Sequence, residues 1–280
     1  MLFRIRFAKY GVVKFIGHLD AMRYFQKAVR RSELPIKYSQ GFNPHQLMVF
    51  AQPLGVGVTS DGEYMDIETE DADFTGAPLN ADRVAGILGG ALTEGFEIVS
   101  IRQIPWQEGT KHPENAMSLV AGADYVMSLK DGYSLSFVDD FIQHFSTDSK
   151  ENMYEENRMG IIPYVKQKLE DFMGQESIVV LKKSKSGERD MDIKPYIYEA
   201  AVEDNSQIPS FMDEIGVAHA DIYEPDIRFF FRLSAGSTVN IKPELVMEAF
   251  LKYCGTEFDE LAFQIHRAQM YSDIEHVVGL

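Results

Sequence analysis

A single cysteine, Cys254, is the scarcest chemical resource of this 280-residue chain. One thiolate cannot close an internal disulfide, complete a cysteine-rich zinc site or ligate an iron–sulfur cluster by itself. Cys254 falls in the apolar stretch LVMEAFLKYCG and reads as a buried helix residue, not as a nucleophile. Long apolar runs are also missing, since no segment reaches the roughly 18 uncharged apolar residues that a membrane helix needs. The opening MLFRIRFAKY carries a charge every few residues, so the expectation is a cytoplasmic protein without leader or span. Positive charge is short as well: 27 Lys and Arg face 43 Asp and Glu, a net charge of −16. A field of that sign repels a phosphate backbone and argues against a general nucleic-acid binder.

The deficit is uneven. Residues 1–50 hold nine Lys or Arg against Asp20 and Glu33, a net +7, which leaves −23 for the remainder. A basic N-terminal element is mounted on an acidic body. With 45% hydrophobic and 25% charged residues, the chain has the composition of a folded protein and the length for two cores.

Periodicity orders the first 105 residues. Leu2 to Ala8 alternates as a strand, and His18 to Ser32 repeats apolar residues at Leu19, Met22, Phe25 and Val29, a helical spacing with Pro35 just beyond. Gln46–Ala51 and Glu63–Glu68 read as strands separated by the glycine-bearing turn region Gly55–Gly62. Asn80 caps a helix over Ala81–Leu92, stopped near Gly95, and Phe96–Ile104 is a last strand before Pro105. The order β-α-β-β-α-β is that of the ferredoxin-like split βαβ motif.

Residues 106–121 follow neither period and read as a linker. In 122–280 the expected elements are strands at Ala123–Lys130, Ser177–Lys183, Ile227–Leu233 and Leu261–Met270. Helices are expected at Leu135–Phe145 and Lys242–Tyr253, with an inserted helix near Ile162–Met173. The expected fold class is therefore α+β, two ferredoxin-like (βαββαβ) domains in tandem, 1–105 and 122–280, the second with insertions. Element order carries that duplication, not a residue-level repeat.

Candidate site residues concentrate in Lys14–Leu54. Arg23, Lys27, Arg30 and Arg31 form one stripe of the first helix, with Lys14 and Lys37 at its margins, suited to phosphate or to an acidic partner. An ordinary solvated face gives the same pattern. The run Tyr38-Ser39-Gln40-Gly41-Phe42-Asn43-Pro44-His45 joins turn formers to two aromatics that suit stacking, with Gln40 and Asn43 placed to hydrogen-bond a base edge. A rigid connector is the competing reading. His18, Asp20 and His45 raise acid–base or metal chemistry, against which Asp20 is more simply a first-turn acid. Lys182, Lys183, Lys185 and Arg189 surround the Ser186-Gly187 turn as a charged hairpin tip, and His266-Arg267 lie on the last long strand, where alternation buries one of the two.

The stretch KFIGHLDAMRYFQKAVRRSELPIKYSQGFNPHQLMVFAQPL, through HLD at His18–Asp20, Arg30-Arg31 and YSQGFNPH, resembles the bacterial radical-SAM-linked protein family. That family is a domain of unknown function found beside, or fused to, a radical S-adenosylmethionine protein with a cobalamin-binding-like domain. Further likeness lies in GERDMDIKPYI, GSTVNIKPELV and IHR, ending at Ile197, Val246 and Arg267. The resemblance implies an accessory role, with no cofactor bound by this chain and with the iron–sulfur cluster and S-adenosylmethionine in the partner. The lone cysteine agrees, because a radical SAM enzyme holds its cluster through three closely spaced cysteines.

The leading expectation is a non-catalytic adaptor that presents substrate, RNA or a ribosomal component, to a separate radical SAM protein. The alternatives are a metal-independent endoribonuclease resembling the CRISPR repeat-processing enzymes, with His18 as its proton-transfer group and the Arg30 region as phosphate clamp, and an acidic protein-docking scaffold.

Overall fold

The computed structural model describes residues 1–107, 109–145, 153–184, 187–204, 216–223 and 227–280. It is a mixed α+β structure, mostly antiparallel in its strand pairing. The chain divides into two compact units. Unit 1 comprises Met1–Ala123, Gly216–Asp221 and His266–Leu280; unit 2 comprises Asp124–Ile215 and Ile222–Ile265. Two segments from late in the chain thus cluster with the N-terminal residues, whereas element order and the linker reading of 106–121 kept 122–280 together.

In unit 1, β1 (Leu2–Lys9) lies between β3 (Thr59–Glu68) and β4 (Phe96–Ile104), antiparallel to both, with Ile5 opposite Met65 and Ile101. The far edge of β3 is shared. The short β2 (Met48–Phe50) runs antiparallel along its second half, and β10 (Phe263–Asp273) runs parallel at its start, His266 opposite Thr59 and Arg267 opposite Ser60. The two-residue β11 (Val278–Gly279) pairs with β10.

Two helices, α1 (His18–Ser32) and α2 (Ala81–Gly89), supply the rest of the core. Phe3, Ile5 and Phe7, at strand spacing, meet Ala21, Phe25, Ala28 and Val29 of α1 and Val84 and Leu88 of α2. Both α1 boundaries match the expectation. Asn80 caps α2 by accepting from the Arg83 amide, while α2 ends earlier than the expected Leu92. On the opposite face of the sheet, Arg4 and Asp66 form a buried ion pair, and Asp66 also accepts from the Ala116 amide at 2.7 Å. The stretch expected as a linker therefore contributes α3 (Ala116–Leu119), whose Ala116 is fully buried.

The strand expected at Glu63–Glu68 begins four residues earlier, at Thr59. Its first half looked like a turn because it is polar and contains Gly62. Both properties serve the contact with β10: a Cβ on Gly62 would lie 2.5 Å from Gln269 Cα and 2.6 Å from the Ala268 carbonyl oxygen. The strand expected at Gln46–Ala51 shrinks to β2.

Unit 2 contains β5 (Gly122–Leu129) from Asp124 onward, the antiparallel pair β8 (Ile197–Asp204) and β9 (Ile227–Ser234), and the separate hairpin of β6 (Val179–Ser184) with β7 (Gly187–Asp192). Its helices are α4 (Ser136–Phe145), α5 (Met153–Met173) and α6 (Pro243–Tyr253). Phe137, Phe172, Phe229 and Phe250 pack together in its core. The order departs from the expected second β-α-β-β-α-β. β7 is the return strand of the hairpin expected at Ser186-Gly187, whereas β8 was not recognised, because the acidic, alanine-bearing IYEAAVED lacks a run of β-branched or aromatic residues. No helix among the described residues is long and apolar enough to cross a membrane.

Candidate functional site

The first helix is strongly one-sided. Ala21, Phe25, Ala28 and Val29 are buried, whereas Arg23, Lys27, Arg30 and Arg31 are exposed and fall within about 100° of arc on the opposite side at 100° per residue. Not all four are equally available. Arg23 pairs with Asp20 at 3.1 Å, and Arg31 donates to the Ala91 carbonyl at 2.8 Å and lies over the Tyr24 ring. Lys27 and Arg30 have no ion-pair partner among the described residues. Lys37 is half-buried, and its backbone pairs with Glu68 and Leu47.

The Tyr38–His45 loop is closed at its base. Tyr38 bridges Gln46, the Ser39 amide donates to the His45 carbonyl, and Ser39 Oγ meets both the His45 amide and Nδ1. Gly41 supplies the turn at φ 118°. Above this base Gln40, Phe42 and Asn43 are exposed, Phe42 completely. An aromatic ring held fully in water on a braced loop is unused by the core. The loop is thus braced at its base as a connector would be, with its tip side chains left in solvent.

His18, Asp20 and His45 have separate partners: Phe50 in an edge contact with His18 at 5.6 Å, Arg23 for Asp20, and Ser39 for His45. No group of three His, Cys, Asp or Glu among the described residues is placed to hold a metal ion.

His18 instead opens onto a charged seam that the sequence reading did not assemble. Glu63 and Arg267 form a two-pronged ion pair at 2.8 and 2.6 Å, both side chains nearly inaccessible. Lys9 is buried beside them and its ammonium donates to the carbonyls of Lys14 and Ile16. Burial lowers the Lys9 pKa, opposed by Glu63 and aided by Arg267. Burial likewise lowers the His18 pKa; Glu63 works against this, while Arg267 and Lys9 work with it. His18 is therefore held toward the neutral imidazole, with no hydrogen bond to its ring among the described residues.

A second polar knot follows on the same strands. Asp61 accepts from His219 Nδ1 at 2.5 Å and from the His219 amide at 3.1 Å, and it lies 3.3 Å from His266 Nε2. His266 Nε2 donates to the Gly216 carbonyl, and its Nδ1 shares a hydrogen bond with Thr59. Burial pushes the Asp61 carboxyl up, but His266, by hydrogen bond and charge, and His219, by two hydrogen bonds, outweigh it and hold it below the usual range. His219 also stacks on Tyr10 at 4.1 Å and reaches Glu97 at 3.3 Å.

Both His266 and Arg267 are buried, a correction to the expectation that alternation would bury one. The parallel contact with β3 supplies partners on both sides of β10. The available signal was the adjacency of SDGE at Ser60–Glu63 and IHR at Ile265–Arg267 in opposite charge, legible only once the two strands are paired. Of the hairpin-tip group, Lys182 donates to the Asn240 carbonyl and Arg189 stands opposite it across the strand pair. Lys185 and Ser186 lie outside the described residues. Cys254, expected as a buried helix residue, is instead half-buried at the C-cap of α6, and burial raises its thiol to about 11, so it is protonated at neutral pH.

These features define a mixed α+β protein with a cation-lined helix face, an exposed aromatic loop and a buried charged seam behind the helix start. A family described as an uncharacterized protein conserved in bacteria (DUF2344) matches residues 3–243, and the chain belongs to that family. A search of curated proteins found no match.

Proposed function

We propose that this chain is a non-catalytic adaptor that holds a substrate, RNA or a ribosomal component, for a separate radical SAM enzyme. Unit 1 is read as a ferredoxin-like platform for α1 and its loop, in a cytoplasmic protein. The observation that carries the reading is that one protein of net charge −16 exposes both Lys27 and Arg30, without an ion-pair partner among the described residues, and a fully exposed Phe42. Cations on a helix face attract phosphate, and an exposed ring stacks an unpaired base. The cluster and S-adenosylmethionine belong to the partner under this reading, as the resemblance of the HLD and YSQGFNPH motifs implies.

The endoribonuclease alternative gains from a neutral His18 but loses on distance. His18 and Arg30 are twelve helical positions apart, about 18 Å at 1.5 Å per residue, so the two cannot serve one phosphate. Lys9, whose charge acts on His18, is tied to two backbone carbonyls. The acidic scaffold alternative leaves the α1 cations without a task.

The test is copurification from native cells of the tagged full chain with a radical SAM protein, run beside binding of labelled structured RNA by the pure chain. The adaptor reading expects both, with Lys27→Glu/Arg30→Glu weakening RNA binding and reducing its salt dependence. RNA cleavage that disappears in His18→Ala, or the absence of any radical SAM protein from the complex, overturns it.

A further inference from the structure

The geometry points to a nucleotide site, for a base bearing an N–H donor, in the groove beside the C-terminal end of α1. This inference deepens the RNA part of the proposed function and uses residues other than His18 and the Phe42 loop tip.

The groove has about 450 Å³, within the range of small-ligand sites. Val29, Leu34 and Ile36, all buried, give it an apolar floor. Two aromatic side chains line it, and both show faces to water: Tyr38 is 46% and Phe74 76% exposed. Phe74 is held there by a braced turn. The Asp73 carboxylate accepts from the Thr75 amide, the Thr75 hydroxyl and the Ala77 amide, and it is clamped by Arg83 of α2. Tyr38 is fixed by its bridge to Gln46. A large ring kept in solvent by so many polar contacts is preorganised for something that stacks on it.

Gln46 supplies the second observation. It lines the same groove, is only 6% exposed, and its Oε1 has no hydrogen-bond partner among the described residues. Its Nε2 reaches the Gln26 carbonyl at a long 3.4 Å. A buried amide oxygen without a donor is an unmet demand, and a planar ring presenting an N–H along its edge would meet it.

Two charged groups frame the rim. Arg30 faces the groove without an ion-pair partner among the described residues and is suited to the nucleotide phosphate. Glu33 ends α1 in the left-handed conformation, φ 56° and ψ 25°, a place where glycine is the unstrained choice. A carboxylate retained at a strained position beside an open groove matches a ribose diol, which donates two hydroxyl hydrogen bonds. Base, sugar and phosphate thus each find a complementary group. A guanidinium side chain of a protein would also stack on the aromatics and bond Gln46 and Glu33, but it would meet Arg30 as a like charge.

The test titrates the full chain with adenosine 5′-monophosphate, with the purine riboside 5′-monophosphate that lacks the amino group, with a five-residue oligoadenylate, and with methylguanidinium. Calorimetry gives the affinity, and NMR follows the Gln46 side-chain amide. Adenosine monophosphate is expected to bind at least tenfold more tightly than the purine analogue. Gln46→Leu should abolish that preference, and Phe74→Ala should weaken both ligands at least fivefold. Tighter binding of the oligoadenylate than of the mononucleotide assigns the site to RNA; equal affinity assigns it to a free nucleotide. Lys27→Glu, outside the groove, separates the two ideas, since it should weaken long RNA and leave the mononucleotide unchanged. The inference is overturned if no mononucleotide binds at millimolar concentration while the chain remains folded by circular dichroism. It also fails if Gln46→Leu keeps the amino preference, or if methylguanidinium binds more tightly than the nucleotide.

Discussion

Glu63→Gln removes one negative charge from a seam that contains two positive ones. Glu63 and Arg267 are 6% and 2% exposed at their side chains, and Lys9 is buried beside them. In the variant, a neutral amide replaces the carboxylate, so Arg267 loses its countercharge while its bond to the Gln52 carbonyl, at 3.2 Å, remains. Removing one partner of a buried pair costs about 3–5 kcal/mol, and the uncompensated repulsion from Lys9 places this case at the upper end. With a urea m-value of about 2 kcal/mol/M, the midpoint should fall by about 1.5–2.5 M. The double variant Glu63→Met/Arg267→Met removes the orphaned guanidinium together with the carboxylate, leaves Lys9 bonded to its two carbonyls, and should recover most of that loss. Urea titrations followed by circular dichroism measure both. The same change should lower the His18 pKa further, because Glu63 is the group that opposes its lowering, and an NMR titration of the imidazole reads this directly. A midpoint shift below about 0.5 M for Glu63→Gln, or a double variant less stable than the single one, would refute the reasoning.

Three further outcomes are expected. Gly62→Ala drives a methyl group into the β10 backbone, which has no flexible end to yield, so it should destabilise by about 1–3 kcal/mol or more and broaden the amide signals of Ala268 and Gln269. Glu33→Gly relieves a left-handed residue and should stabilise by about 1 kcal/mol in urea titration, while weakening nucleotide binding in the groove. His18 has a folded pKa below its unfolded value near 6.5, so between those two values the unfolded chain binds the extra proton. Stability should therefore fall as pH drops from about 6.5 toward the folded pKa, and the difference between wild type and His18→Asn, measured by urea midpoint across pH 4.5–7.5, should flatten that slope. The exposed His276, raised by Asp273, acts in the opposite direction and cancels in that comparison.

What could be read without the structure follows from which interactions are local. The α1 helix was legible to the residue because its apolar spacing, polar stripe and following Pro35 are all within twenty positions. The β4 strand, Phe96–Ile104, was legible for the same reason. The start of β3 was not, because Thr59, Ser60, Asp61 and Gly62 carry turn chemistry locally and acquire strand character from distant partners, Lys9 of β1 opposite Ser60 and His266 and Arg267 of β10, the latter more than 200 positions away. Arg23, Lys27, Arg30, Arg31 and the loop tip are exposed, as a polar stripe and a run of turn formers lead one to expect. The Glu63–Arg267 pair behind His18 was invisible, since like the Asp61–His219 bond it joins residues whose spacing has no period. The groove was half legible: Tyr38 stood out as an aromatic in a polar loop, whereas Phe74 and Gln46 join it only through the Ile36–Thr69 and Tyr38–Gln46 bridges.

The two halves of β3 divide the labour of unit 1. Met65 and Ile67, toward its end, belong to the same core as α1 and α2, so this half sets where the helix lies. Asp61 and Glu63, toward its beginning, bind His219, His266 and Arg267, so this half fixes two late segments, 216–221 and 266–280, against the N-terminal sheet. His18 stands where these influences meet, at the first turn of α1 against Phe50 of β2 and within the field of Glu63, Arg267 and Lys9. A change at Arg267 must therefore register at His18 through charge, even though no covalent or helical path joins them. The cations of Lys27 and Arg30, exposed and farther along the helix, are screened by water and should not. The α1 surface is thus two sites by electrostatics: a buffered imidazole at its start, governed by the buried seam, and a solvent-facing cationic end beside the aromatic groove.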